Sequence, residues 1–258
     1  MSNLNAELKD KLFILTLNRS EKHNAFDDLI LKDMQAFLDE AINTPKARAI
    51  ILRANGKHFS AGADLNWMQR MVSFSQEENE QDAMVLAKVM HTLHTSPKPT
   101  LALVQGSAFG GGAGLAAACD IAIAAENARF CFSEVKLGLI PAVISPYVVN
   151  AIGARAANHL FISAEMFDAE KAQQLGLVQK IVTEDLLLDF GLDYAMQLTK
   201  LAPEAIAQSK KLVADIANQP IDESLLEKTA ALIAKKRISA EGQKGLKAFL
   251  NKETPNWN

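Results

Sequence analysis

Cysteine is nearly absent from this chain: Cys119 and Cys131 are the two thiols in 258 residues. So few exclude a disulfide scaffold, and the lack of any Cys-x-x-Cys pair excludes the common zinc and dithiol motifs. Positive charge is not in excess, with 27 Lys+Arg against 30 Asp+Glu and a formal net charge of −3. A dedicated nucleic-acid binder needs the opposite balance to neutralise phosphates, so no nucleic-acid partner is expected. Long apolar runs are missing too. The most apolar stretch, 108–125, is broken by Gly110, Gly111, Gly112, Gly114 and Asp120, so no membrane partner is expected. The first dozen residues mix Asn, Glu, Lys and Asp and have the pattern of neither a signal nor a transit peptide. A cytoplasmic protein of a reducing compartment is the expectation. His91 and His94 stand three apart without a third ligand in a recognised spacing, so no metal site is expected.

Apolar residues make up 49% of the sequence, enough to build a large core. Short β-type runs recur at 12–17, 49–52, 100–104, 121–124 and 177–182. Between them Ile30, Met34, Phe37, Leu38, Ala41 and Ile42 mark one helical face, which ends near Thr44-Pro45. Ala83, Leu86, Ala87, Met90 and Leu93 mark a second, closed by Pro97 and Pro99. Strands alternating with helices predict an α/β core with parallel strands. After residue 182 no strand is expected. The division is therefore a core over 1–200 and a helical C-terminal region over 201–258.

Three segments carry candidate chemistry. In Val104-Gln-Gly-Ser-Ala-Phe-Gly-Gly-Gly-Ala-Gly-Leu115 a strand meets a tight turn, three glycines and a helix of small residues. Exposed N–H groups at such a helix start suit an anion or a developing oxyanion. The same glycines equally suit close helix packing, and no Lys-Ser/Thr follows them to make a phosphate loop. Gly56-Lys-His-Phe-Ser-Ala-Gly-Ala-Asp-Leu65 is a second strand-to-helix turn, with Asp64 placed as an N-cap. Two such turns together can clamp one carbonyl oxygen. In the third, Glu134 stands in an apolar neighbourhood within Phe-Ser-Glu-Val-Lys-Leu-Gly-Leu-Ile-Pro141. Desolvation there raises a carboxyl pKa toward the range of acid–base work, whereas a solvated loop Glu has no such role.

Taken in order and spacing, these segments resemble the crotonase (enoyl-CoA hydratase/isomerase) superfamily over essentially the whole chain, from Asn18-Arg-Ser-Glu-Lys-His-Asn-Ala25 to Glu241-Gly-Gln-Lys-Gly-Leu-Lys-Ala-Phe-Leu250. The resemblance implies an α/β crotonase-like spiral of ββα units with a helical C-terminal trimerisation region. It also implies an acyl-CoA thioester as ligand, and a homotrimer or dimer of trimers. No cofactor is implied, because coenzyme A is part of the substrate. Carried over residue by residue, Ala63 and Gly111 are the two N–H donors to the thioester enolate, with Gly110 beside them. Ala61, Gly62, Asp64 and Leu65 meet the CoA adenine, and Lys22, Phe249, Lys252 and Trp257 are candidates for its nucleotide. Glu134 is the catalytic acid–base residue.

Typical enoyl-CoA hydratases carry a second glutamate three residues after the oxyanion glycine. Here that position is Gly114, and its missing volume is expected to admit a branched acyl chain. Asn66-Trp67-Met68, Phe109 to Leu115 and Phe132 to Tyr147 are similar to bacterial methylglutaconyl-CoA hydratases of leucine breakdown and to carboxygeranoyl-CoA hydratases. The implied activity is a lyase hydrating 3-methylglutaconyl-CoA to 3-hydroxy-3-methylglutaryl-CoA. Carboxygeranoyl-CoA hydration and Δ3-Δ2 enoyl-CoA isomerisation are the alternatives within the superfamily. RNA binding, known for one relative, needs a basic helix; Leu31 to Glu40 carries three acids and one lysine.

Overall fold

Runs that are apolar at every position form the centre of the molecule because both faces of their sheet are covered. The computed structural model describes residues 2–257. In chain order its strands are β1 (Leu4–Lys9), β2 (Leu12–Leu17), β3 (Ala49–Ala54), β4 (Thr100–Val104), β5 (Ser107–Phe109), β6 (Ile121–Ala125), β7 (Arg129–Cys131), β8 (Phe167–Asp168) and β9 (Lys180–Val182). A six-stranded sheet has the order β1-β2-β3-β4-β6-β9. Its first pair is antiparallel and the others are parallel, with Leu12 opposite Ala49, Ile50 opposite Thr100 and Leu101 opposite Ile121. A small second sheet, β5-β7-β8, lies beyond the end of β4.

The helices are α1 (Asp28–Asn43), α2 (Leu65–Met71), α3 (Gln76–Thr95), α4 (Gly111–Ala118), α5 (Ser145–Ser163), α6 (Ala169–Leu175), α7 (Leu187–Leu198), α8 (Pro203–Ile216), α9 (Glu223–Ile238) and α10 (Ala240–Leu250). Alternation along each strand sorts the side chains. Phe13, Leu15, Ile50, Leu52, Ala102 and Val104 face the main core with α1, α3 and α4. Ile14, Ile51, Leu103 and Ile123 face a second core closed by Leu187 and Ala195 of α7. Asp27 caps α1 by accepting from the Ile30 amide at 3.0 Å, and Ser75 with Glu78 forms a capping box on α3.

The expected α/β core of parallel strands is present, and no strand follows Val182 among the described residues. Three details differ from the sequence expectation. β1 and the second sheet were not foreseen. The last strand of the large sheet occupies Lys180–Val182 alone, because Leu177 and Val178 are spent on the turn after α6. On α3 the buried residues are Val89, Met90 and Leu93, while Ala83 is exposed.

Helices α8 and α9 bury no residue. They are tied to α10 through Lys236, paired with Glu204 at 3.1 Å and Glu241 at 2.7 Å, and through Glu241, which accepts from the Glu204 and Ala205 amides.

Candidate active site

The parallel strands deliver two chain turns to one place at their C-terminal ends. The segment after β3 runs alongside β5, where the Ser60 amide donates to the Ser107 carbonyl at 3.0 Å and the Phe109 amide to the Ser60 carbonyl at 3.0 Å. Its other side pairs with Phe26, whose amide donates to the Gly62 carbonyl at 2.9 Å while the Asp64 amide donates to the Phe26 carbonyl at 2.9 Å. Ser60 is fully buried. Its hydroxyl donates to the Asn24 carbonyl at 2.9 Å and accepts from the Gly62 amide at 3.1 Å.

Gly62 is required where it stands. Its φ is +90°, and a Cβ there would lie 2.9 Å from the Phe109 carbonyl oxygen and 3.6 Å from the Gly111 nitrogen. The two turns thus touch through a position that tolerates no side chain.

Along the first turn nearly every amide is used. Ala61 donates to the His23 carbonyl, Gly62 to Ser60 and Asp64 to Phe26. The Ala63 amide has no protein acceptor among the described residues. In the second turn the Gly110 amide donates to the Cys131 carbonyl at 2.8 Å, and the Gly111 amide, at the first position of α4, is likewise without an acceptor. The helix dipole of α4 adds partial positive charge at Gly111. Two idle N–H groups on adjoining rigid turns suit an oxygen that gains negative charge.

Glu134 completes the site. It opens a short 3₁₀ turn, Glu134–Leu137, and its Oε1 lies 3.2 Å from the place a Gly110 Cβ would occupy. Its Oε2 is buried and has no hydrogen-bond partner, the single such side-chain atom among the described residues. Burial pushes its carboxyl above the usual glutamate range, an effect its own backbone N–H opposes only in part. A buried carboxyl with an unpartnered oxygen, set against the glycine that precedes the unused Gly111 donor, suits proton transfer.

The position one helical turn below Gly110 is filled rather than open. A Cβ on Gly114 would lie 2.3 Å from Ile144 Cγ2, 2.8 Å from Ile144 Cβ and 2.8 Å from Met90 Cε. The expectation that Gly114 leaves room for an acyl branch is therefore corrected: Ile144 and Met90 occupy that volume.

The enoyl-CoA hydratase/isomerase family model matches residues 7–258. The chain belongs to this family. Family members similar to it include the 2,3-dehydroadipyl-CoA hydratase of Escherichia coli, 30% identical over 100% of this chain and 99% of the relative. The short-chain-enoyl-CoA hydratase of Clostridium acetobutylicum is 32% identical over 98% of this chain and 96% of the relative. A crystal structure from Legionella pneumophila subsp. pneumophila superposes with a TM-score of 0.95 at 63% identity, covering 100% of both chains. The crotonase fold is thereby shown.

Other expected contacts of this family member divide by place. Ala61 and Leu65 are exposed beside the first turn, Leu65 at 80%. Asp64 points inward at 4% exposure. It caps α2 by accepting from the Asn66 and Trp67 amides and pairs with Arg19 at 3.0 Å and Lys22 at 3.3 Å. Burial alone would raise its carboxyl, but the two amides, Lys22 and Arg19 outweigh this and hold it below the usual range. The Asp64 side chain is thus a structural anchor, and the Lys22 ammonium is engaged with it.

Phe249, Lys252 and Trp257 are not brought to the turns within this chain. The Trp257 carbonyl accepts from Arg48 at 3.0 Å, just ahead of β3, at the opposite end of the sheet from the site. Phe249 lies at the end of α10 and is 79% exposed, and Lys252 follows it on the surface.

Sequence reasoning missed Ser60, Asn24 and Arg19, which hold the donor turn through protein contacts. Asn24 donates to the Asn55 and His58 carbonyls at 2.8 and 2.7 Å. Its signal was the Arg19-to-Ala25 segment, where Lys22 alone was given a role. His58 accepts from the Ser107 amide at 3.1 Å through Nδ1. Burial, His23 and Lys57 lower its pKa.

Proposed function

We propose that the protein adds water across the 2,3 double bond of an enoyl-CoA, with Glu134 as its one acid–base carboxylate. The observation that carries this reading is the buried, unpartnered Oε2 of Glu134, a carboxylate that lies against Gly110, next in the chain to the idle Gly111 amide. In the reaction the Glu134 carboxylate takes a proton from water while the water oxygen bonds to C3. The C2=C3 electron pair moves toward the thioester, and the enolate oxygen accepts from Ala63 and Gly111. The protonated carboxyl then gives its proton to C2, so Glu134 ends as it began and one water has been added. Beyond the CoA moiety of the substrate, this sequence of steps calls on no other group.

For the acyl group, 3-methylglutaconyl-CoA, giving 3-hydroxy-3-methylglutaryl-CoA in leucine degradation, is the first candidate. It follows from the resemblance of the Phe109–Leu115 and Phe132–Tyr147 segments, and the dehydroadipyl-CoA relative is named for another substrate with a distal carboxylate. The lone carboxylate also favours a second reading, Δ3-Δ2 isomerisation, which moves one proton and adds no water. The exposed apolar side chains of the C-terminal helices, among them Ile238, Phe249 and Leu250 at 77–80%, support self-association, which the family resemblance makes a trimer or a pair of trimers.

The test follows enoyl-thioester absorbance with 3-methylglutaconyl-CoA and crotonyl-CoA, and product formation from a 3-enoyl-CoA. Water addition to the branched ester ahead of crotonyl-CoA supports the full proposal. Turnover of the 3-enoyl ester without any hydration would replace it with isomerisation.

A further inference from the structure

The two idle donors belong to different turns, and one residue meets both. Phe26, just ahead of α1, pairs with the first turn through its backbone. Its amide donates to the Gly62 carbonyl at 2.9 Å, and its carbonyl accepts from the Asp64 amide at 2.9 Å. The Gly62 carbonyl and the Ala63 N–H share one trans peptide and so point in opposite directions. Holding that carbonyl toward Phe26 therefore aims the Ala63 donor away from it. The Phe26 ring reaches the second turn. A Cβ on Gly111 would lie 2.7 Å from its Cζ and 3.4 Å from its Cε2, with Leu86 of α3 at 3.6 Å. The tip of the ring thus takes the place of a side chain at 111. The ring is itself held, at 1% exposure, against Trp67 with centroids 6.4 Å apart. Trp67, on α2 directly after the first turn, is pinned to α3 through its indole N–H, which donates to Asp82 at 2.9 Å.

We propose that Phe26 is a positioning residue that sets the spacing and aim of the two oxyanion donors, its backbone directing Ala63 and its ring bearing on Gly111. This rests on the reading that Ala63 and Gly111 hold the thioester oxygen. Such a pair works because its dipoles are already oriented when charge develops, and an N–H···O bond weakens steeply once distance or angle drifts. Donors on two separate turns need something that spans both. The ring does this without touching the reacting atoms. A shorter side chain at 26 keeps the backbone pairing with Gly62 and Asp64 but withdraws the contact on Gly111. The Ala63 donor then keeps its aim while the Gly111 donor loses its stop. The loss falls on the charged state of the thioester oxygen rather than on binding of the CoA moiety.

The test compares wild type with Phe26→Leu. The probe is butyryl-CoA carrying 13C at the thioester carbonyl, a saturated ester with no double bond to hydrate. Its carbonyl stretch, read by infrared difference spectroscopy, reports the donors directly, and calorimetry gives its Kd. In wild type the stretch of the bound ester is expected below its value in water. In Phe26→Leu it should move back toward that value, with Kd within about threefold of wild type. On whichever enoyl ester wild type hydrates, kcat should fall by about 10- to 100-fold. If Phe26→Leu does not fold, Phe26→Met, an unbranched and flexible replacement, is read in its place. A folded variant with the wild-type stretch or the wild-type kcat, or one that no longer binds butyryl-CoA, overturns the positioning role alone. A wild type that leaves the stretch of the bound ester where it is in water overturns the donor reading, and the positioning role with it. A stretch that is lowered in wild type and relaxed in the variant, in a protein that hydrates nothing, leaves the positioning role standing and removes the hydration reading.

Discussion

Replacing Gly114 by alanine isolates the packing at the centre of this site. Helix propensity alone predicts stabilisation by about 1 kcal/mol, since glycine is the poorer helix former. The structure predicts the opposite. The new methyl would stand 2.3 Å from Ile144 Cγ2 and 2.8 Å from both Ile144 Cβ and Met90 Cε, against about 3.5–4.0 Å for carbons in contact. Met90 is flexible and can yield. Ile144 is branched at Cβ, stiff at χ1 and 2% exposed, so it has nowhere to retreat. Overpacking costs about 1–3 kcal/mol, and this geometry belongs at the upper end. After the helix gain is subtracted, a net loss of about 2 kcal/mol remains, or roughly 4–8 °C in Tm for a chain of this length. Urea and thermal denaturation of wild type, Gly114→Ala, Ile144→Ala and the double variant measure it. The double variant should be less destabilised than the sum of the singles by at least about 1 kcal/mol, because removing Cγ2 makes the room. A Gly114→Ala protein as stable as wild type, or additive singles, would refute the reasoning.

Other expectations follow from the same geometry. Gly62→Ala forces a Cβ to 2.9 Å from the Phe109 carbonyl at a φ of +90°; displacing the adjacent donor should lower kcat by about 100- to 1000-fold, read in steady-state kinetics. Asp64→Ala removes the α2 cap, worth about 1–2 kcal/mol, and leaves the mostly buried Arg19 only its longer pair with Asp27 at 3.5 Å, so denaturation should show at least the loss of the cap. The Asp64 carboxyl titrates lower folded than unfolded, so its contribution is present above the unfolded pKa and disappears as pH falls through the folded one; acid should narrow the gap between Asp64→Ala and wild type. Glu134 has the reverse sign. Its folded pKa is raised, so the folded state binds the extra proton between the two values and stability falls as pH rises from the unfolded to the folded pKa. Glu134→Gln should accordingly be no less stable than wild type at neutral pH, and wild-type kcat/KM should drop as pH falls through that raised pKa.

The central strands were legible because β2, β3, β4 and β6 are apolar at nearly every position, a pattern that survives without knowledge of neighbours. β1 was missed although Leu4, Ala6 and Leu8 alternate with Asn5, Glu7 and Lys9, the period of an edge strand covered on one face, because its charged and polar residues read as a polar terminus and Leu4 alone is buried. β5, β7 and β8 span two or three residues each, too few for any period to show. The Asp64 cap and the two glycine turns were readable from local residue types. What filled Gly114 was not, because Ile144 stands thirty residues away and meets it only through the packing of α4 against α5. The place of the C-terminal aromatic was illegible for the same reason: nothing local to Trp257 announces that its carbonyl meets Arg48.

The most direct measurement compares hydration by wild type and Glu134→Gln on 3-methylglutaconyl-CoA and crotonyl-CoA, with acyl-CoA binding measured on both proteins. The account predicts unchanged folding, retained binding and a loss in kcat of about 100- to 10,000-fold on whichever ester wild type hydrates. A Glu134→Gln protein that hydrates as fast as wild type would contradict it.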